Sequence, residues 1–216
     1  MNGRAVRVLL VGGVLAGPLF ALAWIVGEAI TPGYSATRHL VGELALGTFG
    51  WLPEAGFYVS GALVLGFAFG LWRALRPARL VWGPIIIGLV GLSLIGAGRF
   101  DQDPANGFPP GTPVMPTTRT MHGELHDLFG AVISYGLPIA ALVLVRAFHT
   151  LRRRPWLVYS LVSGLATFVV FFAAKLDPQG SAEAGLQQRI GLTIDFLWLT
   201  LLAALVLRTA PEPESA

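Results

Sequence analysis

The chain contains no cysteine and few charged residues. Only 12% of its 216 residues are Asp, Glu, Lys or Arg, whereas 54% are hydrophobic. The absence of cysteine excludes disulfide bonds, thiolate metal ligands and a thiol nucleophile. Because soluble domains carry about 25% charged residues, the composition also excludes an ordinary soluble fold. The net charge of +3 comes from short basic clusters between apolar runs, as in membrane topology signals, and does not predict a nucleic-acid partner.

Six long uncharged runs account for most of the sequence. Each has about the 20 residues that a helix needs to cross a bilayer, and none shows the two-residue alternation of a barrel strand. The runs cover residues 8–27, 55–72, 80–98, 128–145, 155–174 and 190–207, the last interrupted by Asp195. We predict an all-α polytopic membrane protein, a six-transmembrane-helix bundle forming one domain over residues 1–208, with a disordered tail at 209–216.

The basic residues are distributed unevenly between the two sides of this bundle. Ten of the fifteen fall on the side that holds both termini: Arg4, Arg7, Arg73, Arg76, Arg79, Arg146, Arg152, Arg153, Arg154 and Arg208. The positive-inside rule therefore predicts that both termini lie in the cytoplasm. Arginine outnumbers lysine 14 to 1, as in proteins of GC-rich bacterial genomes, so we expect the bacterial inner membrane as the location. The first span is longer than the apolar region of a signal peptide, so we expect it to be retained.

Acidic residues and histidines concentrate on the opposite, outer side. The connection between spans three and four contains Asp101, Asp103 and the turn-forming pair Asn106-Gly107, with five prolines between positions 104 and 116. Proline and Asn-Gly favour a stiff, turn-rich loop. We expect this loop to fold down over the mouth of the bundle.

Two histidines follow this loop at the start of span four. His122 and His126 are four residues apart, so they share one face of a helix and could offer two imidazoles to one metal ion. Together with Asp101 or Asp103 they form a candidate Zn²⁺ site, since zinc accepts nitrogen and oxygen ligands. The alternative is that these residues cap helix four and hydrogen-bond the loop.

Asp195 is the one charged residue within a span. A charge inside the bilayer costs about 2.5–3.5 kcal/mol on insertion scales, so its carboxyl should face the bundle interior and have a partner. The candidate partners are Arg99, Lys175 and Arg189. Asp195 and Arg189 are our candidate catalytic residues, and a structural ion pair between helices is the alternative.

The first outer loop carries a further polar group. Leu40, Val41, Leu44 and Leu46 give residues 35–47 a weak helical period around His39 and Glu43. The segment either lies on the membrane surface or packs beneath the proline-rich loop. Ser35 beside His39 could form a nucleophile pair, but a structural loop is the favoured interpretation.

Three segments carry a resemblance to a known family. They are Asp103-Pro-Ala-Asn-Gly-Phe-Pro-Pro-Gly111, Gly123-Glu-Leu-His-Asp127 and Gly185-Leu-Gln-Gln-Arg-Ile190. With them, the chain resembles the bacterial domain of unknown function 998 family over nearly its whole length. The resemblance implies a six-span membrane fold and no particular activity.

Two functions compete on this sequence, and it leaves open whether the protein is an enzyme. The first hypothesis is a metal-assisted hydrolase of a lipid or headgroup at the outer leaflet, using the His/Asp/Arg site. The second is a non-catalytic lipid-binding, sensing or scaffold protein whose polar residues form a structural network. Membrane lipids are the expected partners of either. Proton-coupled transport is a weaker third possibility, because only Asp195 approaches the midplane.

Overall fold

The structure is a computed structural model that describes residues 3–75, 80–115, 118–176 and 182–209. These residues form six α-helices and one 3₁₀ helix, Val41–Leu46, and they contain no strand. The α-helices are α1 Gly3–Ile30, α2 Trp51–Leu75, α3 Trp82–Arg99, α4 Met121–Thr150, α5 Arg154–Leu176 and α6 Ala184–Thr209. The predicted all-α, six-helix class is confirmed. The predicted disordered tail lies outside the described residues beyond Thr209.

Most of these helices extend beyond the apolar runs that predict them. The clearest case is α4, which begins at Met121, well before its uncharged run. The Thr120 hydroxyl accepts a hydrogen bond from the Gly123 N–H at 3.0 Å, and Glu124 lies in the positively polarised first turn. The segment containing both candidate metal-binding histidines is therefore helical.

The helices form a closed ring. Each α-helix packs against the next, and α6 packs back against α1 and also contacts α2 and α4. Close approach depends on small residues: a Cβ atom on Gly13 would lie 2.5 Å from the Phe67 ring and 2.8 Å from the Ala203 Cβ. Glycine therefore allows α1 to lie directly against α2 and α6, as its small-xxx-small spacing with Gly17 predicts.

The outer surface of the ring is apolar. All six helices are long and apolar enough to cross a membrane. On α5, for example, Val158, Val162, Val169 and Phe172 are exposed, which is where a bilayer would solvate them. The protein is a multi-pass membrane protein, and the orientation of its termini stays a prediction.

The two ends of the bundle differ in character. At one end, here called the loop end, α2, α4 and α6 begin, and the described residues of the long connections 31–50 and 100–120 lie there. The same three helices finish at the other end, here called the arginine-rich end. Arg73 lies in the last turn of α2, His149 in that of α4 and Arg208 in that of α6, and Arg153 lies between α4 and α5. Each end contains one candidate site.

Candidate functional site

Glu43 is at the centre of the loop end. The apolar segment around it forms the 3₁₀ helix, which packs on α1, α2 and α6 and leaves the Glu43 side chain fully buried. One carboxylate oxygen, Oε2, accepts a hydrogen bond from the Leu40 N–H at 2.6 Å. The other, Oε1, accepts one from the Asn106 Nδ2 at 2.9 Å. Both oxygens are therefore satisfied, as a buried carboxylate requires.

Asn106 reaches Glu43 because the proline-rich loop folds over the bundle. Asn106 and Gly107 both have positive φ, at 55° and 84°, and the Phe108 N–H donates to the Ala105 carbonyl at 2.9 Å. Two consecutive positive φ values are what an Asn-Gly pair supplies to a tight turn. The Phe108 ring behind this turn is buried and contacts the rings of Tyr34 and His39. The predicted closure over the mouth is confirmed.

His39 links the same two loops. Its Nδ1 accepts a hydrogen bond from the Ser35 N–H at 2.9 Å, and its Nε2 lies 3.2 Å from the Asn106 carbonyl oxygen. This geometry requires a neutral imidazole protonated on Nε2. Burial lowers the pKa of His39, as do the charges of Arg38 and Arg189. The Ser35 hydroxyl bonds to Thr37 at 3.0 Å, so no Ser–His nucleophile pair forms.

Arg189 ties α6 to the first loop and to α1. Its guanidinium donates to the Tyr34 hydroxyl at 2.6 Å and to the His39 carbonyl at 2.9 Å, and its Nε lies 3.5 Å from Glu28 Oε1. A guanidinium suits this role because its five N–H groups point in fixed directions. We call Glu28, Tyr34, His39, Glu43, Asn106 and Arg189 the loop network.

Besides His39, two groups of the loop network have perturbed pKa values. Burial raises the pKa of Glu43 to about 7, although its hydrogen bonds and the charge of Arg189 act in the opposite direction. Burial likewise raises the pKa of the Tyr34 hydroxyl, although the Arg189 charge lowers it. The loop network therefore contains one carboxyl that titrates near neutral pH.

The four residues predicted to bind metal have separate contacts. His126 is buried, and its Nδ1 lies 2.8 Å from the Phe100 carbonyl oxygen and 3.1 Å from that of Ala97. The other three lie nearer the surface. Asp103 accepts hydrogen bonds from Thr120 at 2.6 and 2.9 Å, His122 is exposed against Phe100, and Asp101 is exposed.

Over the described ranges, no three His, Asp or Glu side chains are grouped so that they could hold a metal ion. Asp103 accepts hydrogen bonds from Thr120, the N-cap residue of α4, which is the loop hydrogen bonding that the alternative interpretation predicts. The Nε2 of His126 points towards Gly42, beside a cavity of about 30 Å³ that Ser134 and Gln188 also line. A cavity of this size holds about one water molecule. The zinc site stays a prediction.

Asp195 and Arg189, the predicted catalytic pair, have different surroundings. Asp195 is only 3% exposed, and its Oδ2 has no hydrogen-bond partner among the described groups. Arg189 is used in the loop network and does not pair with it. Of the other predicted partners, Arg99 is exposed and lies over the Phe100 ring, and the Lys175 side chain is outside the described part of the structure. A catalytic role for Asp195 and Arg189 stays a prediction.

A larger pocket is located at the arginine-rich end. It has a volume of about 410 Å³ and lies between the last turns of α2, α4 and α6. Its walls are mostly apolar, and Arg153 is the one charged residue among the described residues that line it. The lining includes Leu71, Ala74, Leu144, Phe148, Leu202 and Val206. Volume and lining both match those of small-molecule pockets in general, which measure about 300–1,000 Å³.

Sequence reasoning singled out four residues of the loop network, His39, Glu43, Asn106 and Arg189. It did not predict which of these groups pair, and it missed Tyr34 and all of this pocket. Glu43 carried a usable signal, because an acidic residue surrounded by leucines and valine in a short loop needs buried hydrogen bonds. Tyr34 carried no such signal, since an aromatic residue near a span end is ordinary in membrane proteins. The pocket depends on where three helix ends diverge, which hydropathy does not encode.

The comparisons with known proteins identify a family and no activity. Neither the curated proteins nor the solved structures include a match to this chain. Residues 14–205 match the family described as "Protein of unknown function (DUF998)". This match covers most of the chain, including every helix of the ring. The protein therefore belongs to the DUF998 family.

Proposed function

We propose that this protein binds an anionic phospholipid of the bacterial inner membrane, without catalysis, in the pocket between α2, α4 and α6. The observation that carries the proposal is the pocket itself. It offers about 410 Å³ of mostly apolar space and one guanidinium at its edge. An amphipathic lipid has the same two parts, an apolar chain and an anionic phosphate.

Each part of the pocket has a chemical counterpart in the lipid. Leucine, valine and phenylalanine side chains from three helices would surround an acyl chain and exclude water from it. Arg153 is exposed and has no carboxylate partner among the described residues, so its N–H groups are available to a phosphate. Guanidinium–phosphate pairs are often bidentate, which adds geometric specificity.

Under the predicted topology, this pocket lies in the leaflet that carries anionic lipids. With both termini in the cytoplasm, the arginine-rich end faces the cytoplasmic leaflet, where anionic lipids create a negative surface potential. Basic pockets between transmembrane helices on that side commonly bind anionic headgroups. The distribution of arginines that predicts the topology is thus also consistent with the proposed ligand.

The loop end supports a non-catalytic role. Its histidine, glutamates, asparagine and arginine bond to one another and to backbone groups, as expected of a network that holds the bundle closed. The competing metal-assisted hydrolase has less support, because the described side chains contain no group of three metal ligands.

The first experiment removes the guanidinium. Purified protein in detergent would be titrated with phosphatidylglycerol and with phosphatidylcholine, and bound lipid would be counted by native mass spectrometry. Since a hydrogen bond to a charged group contributes about 1.5–3 kcal/mol, Arg153→Gln should weaken phosphatidylglycerol binding about tenfold or more. Arg146→Gln, which removes an exposed arginine outside the pocket lining, is the matched control and should bind like the wild type.

The second experiment fills the pocket. Ala74 lines it and is exposed, so Ala74→Phe adds a ring to the cavity with little effect on the core. We expect this variant to lose the bound lipid while it melts at the temperature of the wild type. Equal lipid binding by the wild type, Arg153→Gln and Ala74→Phe would refute the proposed site.

A further inference from the structure

We propose that Asp195 and Thr167 form an intramembrane proton-binding site, in which the Asp195 carboxyl holds a proton at neutral pH. The site is separate from both the lipid pocket and the loop network. It lies between α5 and α6, in the middle of the bundle, where the other buried polar side chains of α5 are uncharged.

The depth of the carboxyl is the first argument. Because α6 begins at Ala184, Asp195 lies roughly 16 Å along the helix axis from that end, at 1.5 Å per residue. Its side chain is 3% exposed. A carboxylate at this depth, removed from water and lipid headgroups, has no solvent to stabilise its charge.

The second argument is that no cationic partner lies against the carboxyl in the part of the chain that the structure describes. The described residues of α1, α2, α4, α5 and the 3₁₀ helix, which all contact α6, place no charged group against this carboxyl. Arg189 is on the same helix but donates its hydrogen bonds to Tyr34, to the His39 carbonyl and to Glu28. A buried acid without a cation is far more stable in its neutral form.

Thr167 supplies the other half of the site. It lies beside Asp195 on the neighbouring helix and is fully buried. Neither its Oγ1 nor the Asp195 Oδ2 has a hydrogen-bond partner within the described structure. Two adjacent oxygens in an apolar core each cost free energy when they are unsatisfied. The Thr167 hydroxyl can donate to the carboxyl in either protonation state, but one neutral hydroxyl does not compensate a buried negative charge, which a proton removes.

The chemistry of the site favours a proton over a metal cation. Hard cations such as Ca²⁺ and Mg²⁺ take about six or more oxygen ligands, whereas this site offers one carboxyl and one hydroxyl. A proton needs a single oxygen and fits the same space. Na⁺ is the competing cation, and the labelling experiment below distinguishes its binding from that of a proton.

Infrared spectroscopy of the full-length protein in liposomes measures the protonation state directly. The difference spectrum of wild type minus Asp195→Asn at pH 7 should contain the C=O stretch of a protonated carboxylic acid. Asp101→Asn, which removes an exposed carboxyl, is the control and should contain a carboxylate stretch instead. A carboxylate stretch assigned to Asp195 at pH 7 would overturn the proposal.

Thr167→Val tests the second residue. It keeps the shape of the side chain but removes the hydroxyl, so the acid band of Asp195 should remain and change frequency. An unchanged frequency would remove Thr167 from the site.

Chemical labelling of the wild type tests the site independently of any variant's folding. Dicyclohexylcarbodiimide takes the acid proton on a nitrogen while the carboxylate oxygen attacks its central carbon, and the adduct rearranges to an N-acylurea without losing an atom. We expect one adduct, mapped to Asp195 by peptide mass spectrometry and not reduced by Na⁺. Protection by Na⁺ would identify a sodium site and overturn the proton site, as would the absence of both the adduct and the acid band.

Discussion

Replacing Glu43 with glutamine should remove one component of the pH dependence of stability. Burial raises the pKa of Glu43 from 4.5 to about 7, so the folded protein holds this proton more tightly than the unfolded chain does. The stabilisation from the protonated carboxyl is therefore fully present below about pH 4.5. It is lost as the pH rises through about 7.

The magnitude follows from the two pKa values. A pKa that rises from 4.5 to about 7 corresponds to about 3 kcal/mol, of which about 2–3 kcal/mol is lost between pH 5 and pH 8.5. Glutamine imitates the protonated acid, since it offers one acceptor oxygen to Leu40 or Asn106 and cannot ionise. The free energy of unfolding of the wild type should therefore fall by about 2–3 kcal/mol relative to that of Glu43→Gln over this pH range.

His39 contributes with the opposite sign. Its pKa is lowered, so its contribution to stability is present above its ordinary pKa and is lost as the pH falls. Because both proteins retain His39, this contribution cancels when the variant is compared with the wild type. The comparison therefore isolates the carboxyl of Glu43.

The assay is the free energy of unfolding in mixed micelles, measured by titration with sodium dodecyl sulfate at several pH values between 5 and 8.5. Glu124→Gln, which removes an exposed carboxyl at the start of α4, should follow the pH slope of the wild type. If the difference between wild type and Glu43→Gln stays constant from pH 5 to pH 8.5, the argument about the buried carboxyl is wrong.

Three further predictions concern the packing and the chemistry of the bundle. Arg189→Gln should lower the free energy of unfolding on the order of 3 kcal/mol, because it leaves Glu28 partly buried without its charge partner; a melting temperature equal to that of the wild type would contradict this. Gly13→Ala should destabilise the protein by about 1–3 kcal/mol through overpacking, whereas Gly130→Ala, with open space around the added methyl group, should be nearly neutral. Elemental analysis should find the same zinc content in the purified wild type, His122→Ala and His126→Ala, because the two histidine side chains have separate contacts. Stoichiometric zinc in the wild type that is lost in both variants would favour the hydrolase.

The fold could be predicted because a bilayer imposes a simple rule on the sequence. Backbone groups inside hydrocarbon must bond within their own segment, so an uncharged run of about 20 residues forms a helix. Short-range turn chemistry was equally readable. The Asn106-Gly107 pair has positive φ at both positions, as its residue types predict.

The contacts between distant segments could not be predicted in the same way. The pairing of Glu43 with Asn106 joins two loops separated by 63 positions, and nothing in either loop specifies the other. The histidine spacing predicts a shared helix face but not whether both side chains are buried. His122 and His126 lie on one helix as predicted, yet one is buried and the other exposed, because neighbouring segments cover only part of that face.

The long-range contacts of the loop network also constrain the order of assembly. Arg189 lies 161 positions after Glu28, so five helices must be synthesised before this contact forms. Until α6 is in place, the first loop lacks the guanidinium that binds Tyr34 and the His39 carbonyl. A nascent or truncated chain in the membrane would consequently expose this loop, and protease accessibility of residues 31–50 would distinguish an unfinished bundle from a complete one.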